Sequence, residues 1–169
     1  MLTPLELRTA FSVAELRGEY GQIIRLLILT GQRLGQITSL RPDWINGDTI
    51  TWPAECMKGN REHTIPIGPL TKAELDGFPM PCTFTSWSKE HASLLKATGL
   101  PHFTRHDIRR SWASAMAEWT PPHLLSRLLA HAEGGVLPIY NRYQYLSEMR
   151  EAVLTFERWL TTSTPCPRA

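Results

Sequence analysis

The stretch from Glu19 to Thr30 constrains the fold most. It places Ile23, Ile24, Leu26, Leu27 and Leu29 in a helical pattern that is apolar on too many sides to keep one face in water. Gly31 follows and supplies a stop, because glycine takes up the left-handed conformation that ends helices at little cost. Such a helix must be enclosed, so the other elements are predicted to pack around residues 19–30.

The neighbouring segments supply them. Thr3-Pro4-Leu5-Glu6 carries the signals of a helix start: a capping threonine, a proline preorganised for the first turn and a glutamate placed for a capping box. Arg33 to Leu40 reads as a short helix stopped at Arg41-Pro42, since the residue before proline avoids helical geometry. Trp44-Ile45, Thr49 to Trp52 and Thr64 to Ile67 are β-prone, and Asn46-Gly47-Asp48 and Lys58-Gly59-Asn60-Arg61 between them are turn sequences.

Further helices are predicted over 71–76, over 88–98 closed by Gly99, over 105–118 capped by Thr104, and over 121–131 opened by Thr120-Pro121. A final helix carries Leu146, Met149, Val153, Phe156 and Leu160 at spacings of three and four. The predicted fold is mainly α with a small three-stranded antiparallel β-sheet (α+β), a single domain over 1–160 with a flexible tail at 161–169. Trp87, Trp112 and Trp119 are assigned to packing rather than to stacking on bases.

A chain of 169 residues, 42% of them hydrophobic, buries a sufficient core without disulfides or a structural metal. Cys56, Cys82 and Cys166 are odd in number and far apart, which fits a reducing cytosol rather than a disulfide framework or a zinc knuckle. No apolar run approaches the roughly eighteen residues that span a bilayer, and no signal pattern opens the chain, so a soluble, cytoplasmic protein with no membrane partner is expected. A formal charge of +2 and a pI near 8.5 permit a nucleic-acid partner without selecting one.

Several segments carry residue types suited to phosphate chemistry. Thr30-Gly31-Gln32-Arg33 sets an arginine at the start of a short helix whose free amides also favour an anion. His106 and Arg109 stand three apart and share a helix face, whereas Arg105 and Arg110 point elsewhere. His131 closes an apolar helix before Gly134-Gly135, and Tyr140 follows nine residues later in Ile139-Tyr140-Asn141-Arg142. Each has a plain structural reading: a surface arginine, a solvated basic edge, a helix-dipole histidine, a space-filling tyrosine.

Together, the ordered set Arg33, Lys58, His106-x-x-Arg109, His131 and Tyr140 resembles the active-site set of the tyrosine recombinases, or phage-type integrases. The texts that carry the resemblance are Thr-Gly-x-Arg, a lysine on a β-turn, His-Asp-Ile-Arg-Arg, Leu-x-His-x-x-x-Gly, and Tyr-Asn-Arg ahead of an amphipathic helix; they cover nearly all of residues 20–160.

The resemblance implies a site-specific recombinase catalytic domain acting on double-stranded DNA without metal or other cofactor. Tyr140 would attack the scissile phosphorus and expel a 5′-hydroxyl, with Tyr143 as reserve nucleophile. Arg33 and Arg109 would hold the non-bridging oxygens, Lys58 would protonate the leaving oxygen, His106 would serve proton transfer, and His131 would donate to the phosphate. It further implies a tetramer on DNA for the full-length protein, with an isolated domain expected to be monomeric.

Two departures accompany the match. The family usually has an acidic residue three after the first arginine, where this chain has Gln36, and Arg61 and His63 leave room for a general acid other than Lys58. The first twenty residues cannot supply the family's N-terminal core-binding domain, which is expected to be absent; half a clamp at charge +2 should bind DNA weakly and lose affinity quickly with salt. The rival readings are an inactive DNA-binding module of the same fold and a metal-dependent hydrolase built on His102 and His106 with His123, His131 or Asp107. The latter is disfavoured because His102 precedes the helix start at Thr104.

Overall fold

The computed structural model describes residues 1–131 and 145–162. Tyr140, Tyr143, the Gly134-Gly135 pair and most of the predicted tail therefore lie outside the described residues. The elements are α1 (Pro4–Ala14), α2 (Gly18–Thr30), α3 (Leu34–Thr38), β1 (Ile45–Asn46), β2 (Thr49–Trp52), β3 (His63–Pro66), α4 (Pro69–Leu75), α5 (Trp87–Thr98), α6 (Arg105–Met116), α7 (Pro122–Leu128) and α8 (Leu146–Thr161).

α2 is the enclosed helix that its sequence demands. Tyr20, Ile23 and Ile24 are buried, as is every residue from Leu26 to Thr30, and α1, α3, α4, α6 and α8 all pack on it. Gly31 closes the helix at φ +65°, and a Cβ there would run into the Trp112 ring of α6, so both conformation and space require glycine.

The other predicted starts and stops follow the same chemistry. Thr3 and Glu6 form a capping box at α1, with Thr3 N donating to Glu6 Oε2 at 2.7 Å, and Thr104 and Asp107 form one at α6. The sheet is antiparallel in the order β1-β2-β3, with Ile50 opposite Ile65 and Trp52 opposite His63. Trp112 and Trp119 pack against Phe156 of α8, as expected for core aromatics.

Helix α7 differs from expectation. The apolar pattern predicts a helix to residue 131, but it ends at Leu128, and Ala130 takes φ +50°. His131 N then donates to Ser126 O at 2.9 Å and Ala130 N to Arg127 O at 3.0 Å, a left-handed closing turn that puts His131 outside the helix.

One buried carboxylate ties the C-terminal helix to the body. Glu157 of α8, 3% exposed, accepts from Leu70 N, Thr71 N and Thr71 Oγ1 at 2.9, 3.0 and 2.6 Å, satisfying free amides at the start of α4. Glu157→Ala strands these donors and is expected to cost on the order of 3 kcal/mol, read as a lower urea midpoint; Glu157→Gln, which keeps one acceptor oxygen, should lose less. Equal stability of the two variants would contradict this assignment.

Candidate active site

The turn after α2, the β2–β3 connection, the start of α6 and the end of α7 carry the described candidate residues. Arg109 lies at the centre. Although it is an arginine, it is only 6% exposed; its Nη1 donates to Gly31 O at 2.8 Å and its Nη2 to Leu129 O at 2.6 Å. Burial, and then the neighbouring Arg33, lower its pKa to about 10, which still leaves it charged at neutral pH. Both partners are neutral carbonyls, and no carboxylate pairs with it among the described residues. A buried cation held this way favours an anionic ligand.

Arg33 occupies the residue before α3 and is exposed, and its guanidinium has no carboxylate partner among the described residues. Its backbone N–H donates to Gln36 Oε1 at 3.0 Å, which fixes where the side chain departs. His131 is exposed; partial burial lowers its pKa, with Arg109 and Arg33 adding to the effect, so the ring is neutral at pH 7 and offers one N–H to an acceptor. The structure thus brings Arg33, Arg109 and His131 into one electrostatic neighbourhood.

Lys58 and His106 sit on elements joined to this neighbourhood. Lys58 is exposed on the β2–β3 turn, and Met57 beside it meets Gln36 Nε2 through sulfur at 3.7 Å, which ties that turn to α3. His106 is exposed on the first turn of α6, one turn before Arg109. Arg105 lies over Trp87 and Arg110 pairs with Asp107 at 3.6 Å, so both face away, as their spacing predicts. Asp107 is occupied as the α6 cap. Tyr140, the candidate nucleophile, lies outside the described residues.

His63, open in the sequence as an alternative general acid, is buried. Its ring stacks on Trp52 with centroids 5.5 Å apart, and its Nε2 lies 3.1 Å from Gln32 Oε1. Burial, followed by the Arg109 charge, lowers its pKa to about 4, so at neutral pH it holds no acidic proton to deliver to a leaving group. The unfolded chain protonates this imidazole near pH 6.5 and the folded chain does so only near 4. Stability is therefore full above pH 6.5 and falls between 6.5 and about 4, by about 3 kcal/mol for this group. Urea unfolding at pH 7 and pH 4 should show a loss that much larger in the wild type than in His63→Gln; equal losses would rule it out.

Gln32, the unspecified position of Thr-Gly-x-Arg, escapes sequence reasoning, yet it is fully buried. Only its setting between a helix-ending glycine and an arginine marks it in the sequence.

No protein-family model matches the sequence. Among curated proteins, the chain is similar to "Prophage integrase IntZ" of Escherichia coli (strain K12), being 31% identical over 144 residues. The match covers 75% of this chain and 36% of that protein, so the chain spans little more than a third of its relative. The similarity supports a relationship to the integrases. No helix among the described residues is long and apolar enough to cross a membrane.

Proposed function

We propose that residues 1–160 form the catalytic domain of a site-specific DNA recombinase that cuts and rejoins strands through a 3′-phosphotyrosyl intermediate. The observation that carries this reading is the buried Arg109 guanidinium, held by two carbonyls and, among the described residues, by no carboxylate, beside Arg33 and His131. A phosphodiester would supply the compensating negative charge. The similarity to a prophage integrase points to DNA as the source of that phosphodiester.

In the proposed reaction the Tyr140 oxygen bonds to the scissile phosphorus as the bond from phosphorus to the 5′ oxygen breaks. The phenolic proton passes to His106, and Lys58 supplies a proton to the departing 5′ oxygen. Arg33 and Arg109 neutralise the charge that grows on the non-bridging oxygens, and His131 donates a further hydrogen bond. A 5′-hydroxyl of a second strand then reverses these steps, so the energy of the phosphodiester is retained. In this reading a tetramer on two duplexes carries out the exchange.

The test is incubation with a nicked suicide duplex, whose cleaved fragment diffuses away and traps the covalent state. A denaturant-resistant protein–DNA adduct is expected. DNA binding without any adduct would instead favour an inactive binding module of the same fold.

A further inference from the structure

We infer that Gln32 is the positioning residue of this site, a single carboxamide that sets the arginine-bearing turn, the β2–β3 hairpin and the end of α7 in register. Its Nε2 donates to Thr30 O at 3.0 Å and to Leu128 O at 2.7 Å. Its Oε1 faces Gln36 Nε2 and His63 Nε2, each at 3.1 Å. The proposal deepens the recombinase reading and rests on it for the meaning of the site, although not for the network itself.

The hydrogen-bond directions have one consistent solution. Gln36 Oε1 must accept from Arg33 N–H, so its amide nitrogen faces Gln32. Gln32 faces two carbonyls with its own nitrogen, so its oxygen must accept from both Gln36 and His63. His63 must then carry its proton on Nε2. Every member is satisfied, and every member is neutral.

The chain of contacts reaches the backbone that holds Arg33 and Arg109 and the strand that follows the Lys58 turn. Gln32 lies between Gly31, whose carbonyl holds Arg109 Nη1, and Arg33, whose backbone Gln36 fixes. Leu128, which it grips, precedes Leu129, whose carbonyl holds Arg109 Nη2. His63 is the first residue of β3, following the turn that bears Lys58. Only an amide can do this: a glutamate at 32 would aim a carboxylate at two carbonyls, and a glutamate at 36 would aim one at Gln32 Oε1. That gives Gln36 a role of its own at the position where the resemblance would place an acidic residue.

Gln32→Met and Gln36→Glu test the inference, with Gln36→Met as a milder variant should Gln32→Met not fold. Long-range proton–nitrogen NMR of the wild type should show His63 as the neutral Nε2–H tautomer from pH 8 to pH 5; an Nδ1–H tautomer, or titration near 6.5, would overturn the network whatever the function. In single-turnover assays Gln32→Met should slow adduct formation at least tenfold at saturating DNA while DNA affinity stays within about threefold. Gln36→Glu should be impaired alone and less so combined with Gln32→Met, because the clash of oxygens is then relieved; a merely structural role would give additive losses. Where the wild type forms no adduct, the recombinase reading has failed and the affinity for inorganic phosphate decides: a tenfold loss in Gln32→Met supports positioning, and an unchanged value overturns it.

Discussion

Tyr140→Phe is expected to abolish the covalent DNA adduct while leaving DNA affinity within about threefold. The substitution keeps the ring and removes only the phenolic oxygen, so the proposed chemistry loses its nucleophile. A free phenol has a pKa near 10, so about one in a thousand is ionised at pH 7, and the proposed mechanism therefore needs cations and a proton acceptor to lower the barrier to attack. Tyr143→Phe serves as the control and should retain the adduct, read on a denaturing gel with labelled suicide DNA. If Tyr143→Phe alone loses it, the nucleophile is Tyr143. Adduct surviving in both variants and in their double would mean that neither tyrosine attacks, and the proposed mechanism would fall.

Local chemistry makes most of the fold legible. α2 is readable as an enclosed helix because its apolar residues cover too many sides for a surface position, and five helices do pack on it. The capping boxes at Thr3 and Thr104 are readable because each needs only residues three apart. The end of α7 is not. Leu128-Leu129-Ala130 continues an apolar helical pattern, but the carbonyls of Leu128 and Leu129 are taken by Gln32 and Arg109 from distant segments, and Ala130 adopts a left-handed turn. Tertiary hydrogen bonds override the local pattern there.

The site is legible as a set of residues and far less as a geometry. Arg33 and Arg109 can be named from their motifs, but nothing in the sequence announces that Arg109 is buried and held by two carbonyls. His63 reads as a candidate acid because histidine often is one; only the stacking on Trp52 and the bond to Gln32 show a neutral structural group. Gln32, Gln36 and His63 have no shared spacing that would link them in one dimension, since the contact between residues 32 and 63 exists only once the hairpin folds back on α3.

Arg109→Lys is expected to reduce the rate of adduct formation by a hundredfold or more at saturating DNA, about 3 kcal/mol of transition-state stabilisation. Charge is conserved in this substitution, so the loss would come from geometry. The guanidinium is a planar fork: two of its nitrogens are bound to Gly31 O and Leu129 O, and the same plane must still present N–H groups to a phosphate. An ammonium on a flexible stem cannot reach two carbonyls on separate segments and a bidentate ligand at once. It also shifts its pKa readily when buried, so part of the positive charge would be lost. Single-turnover adduct assays beside urea melts separate chemistry from folding; a lysine variant within tenfold of the wild-type rate would show that the buried fork is not what holds the reacting phosphate.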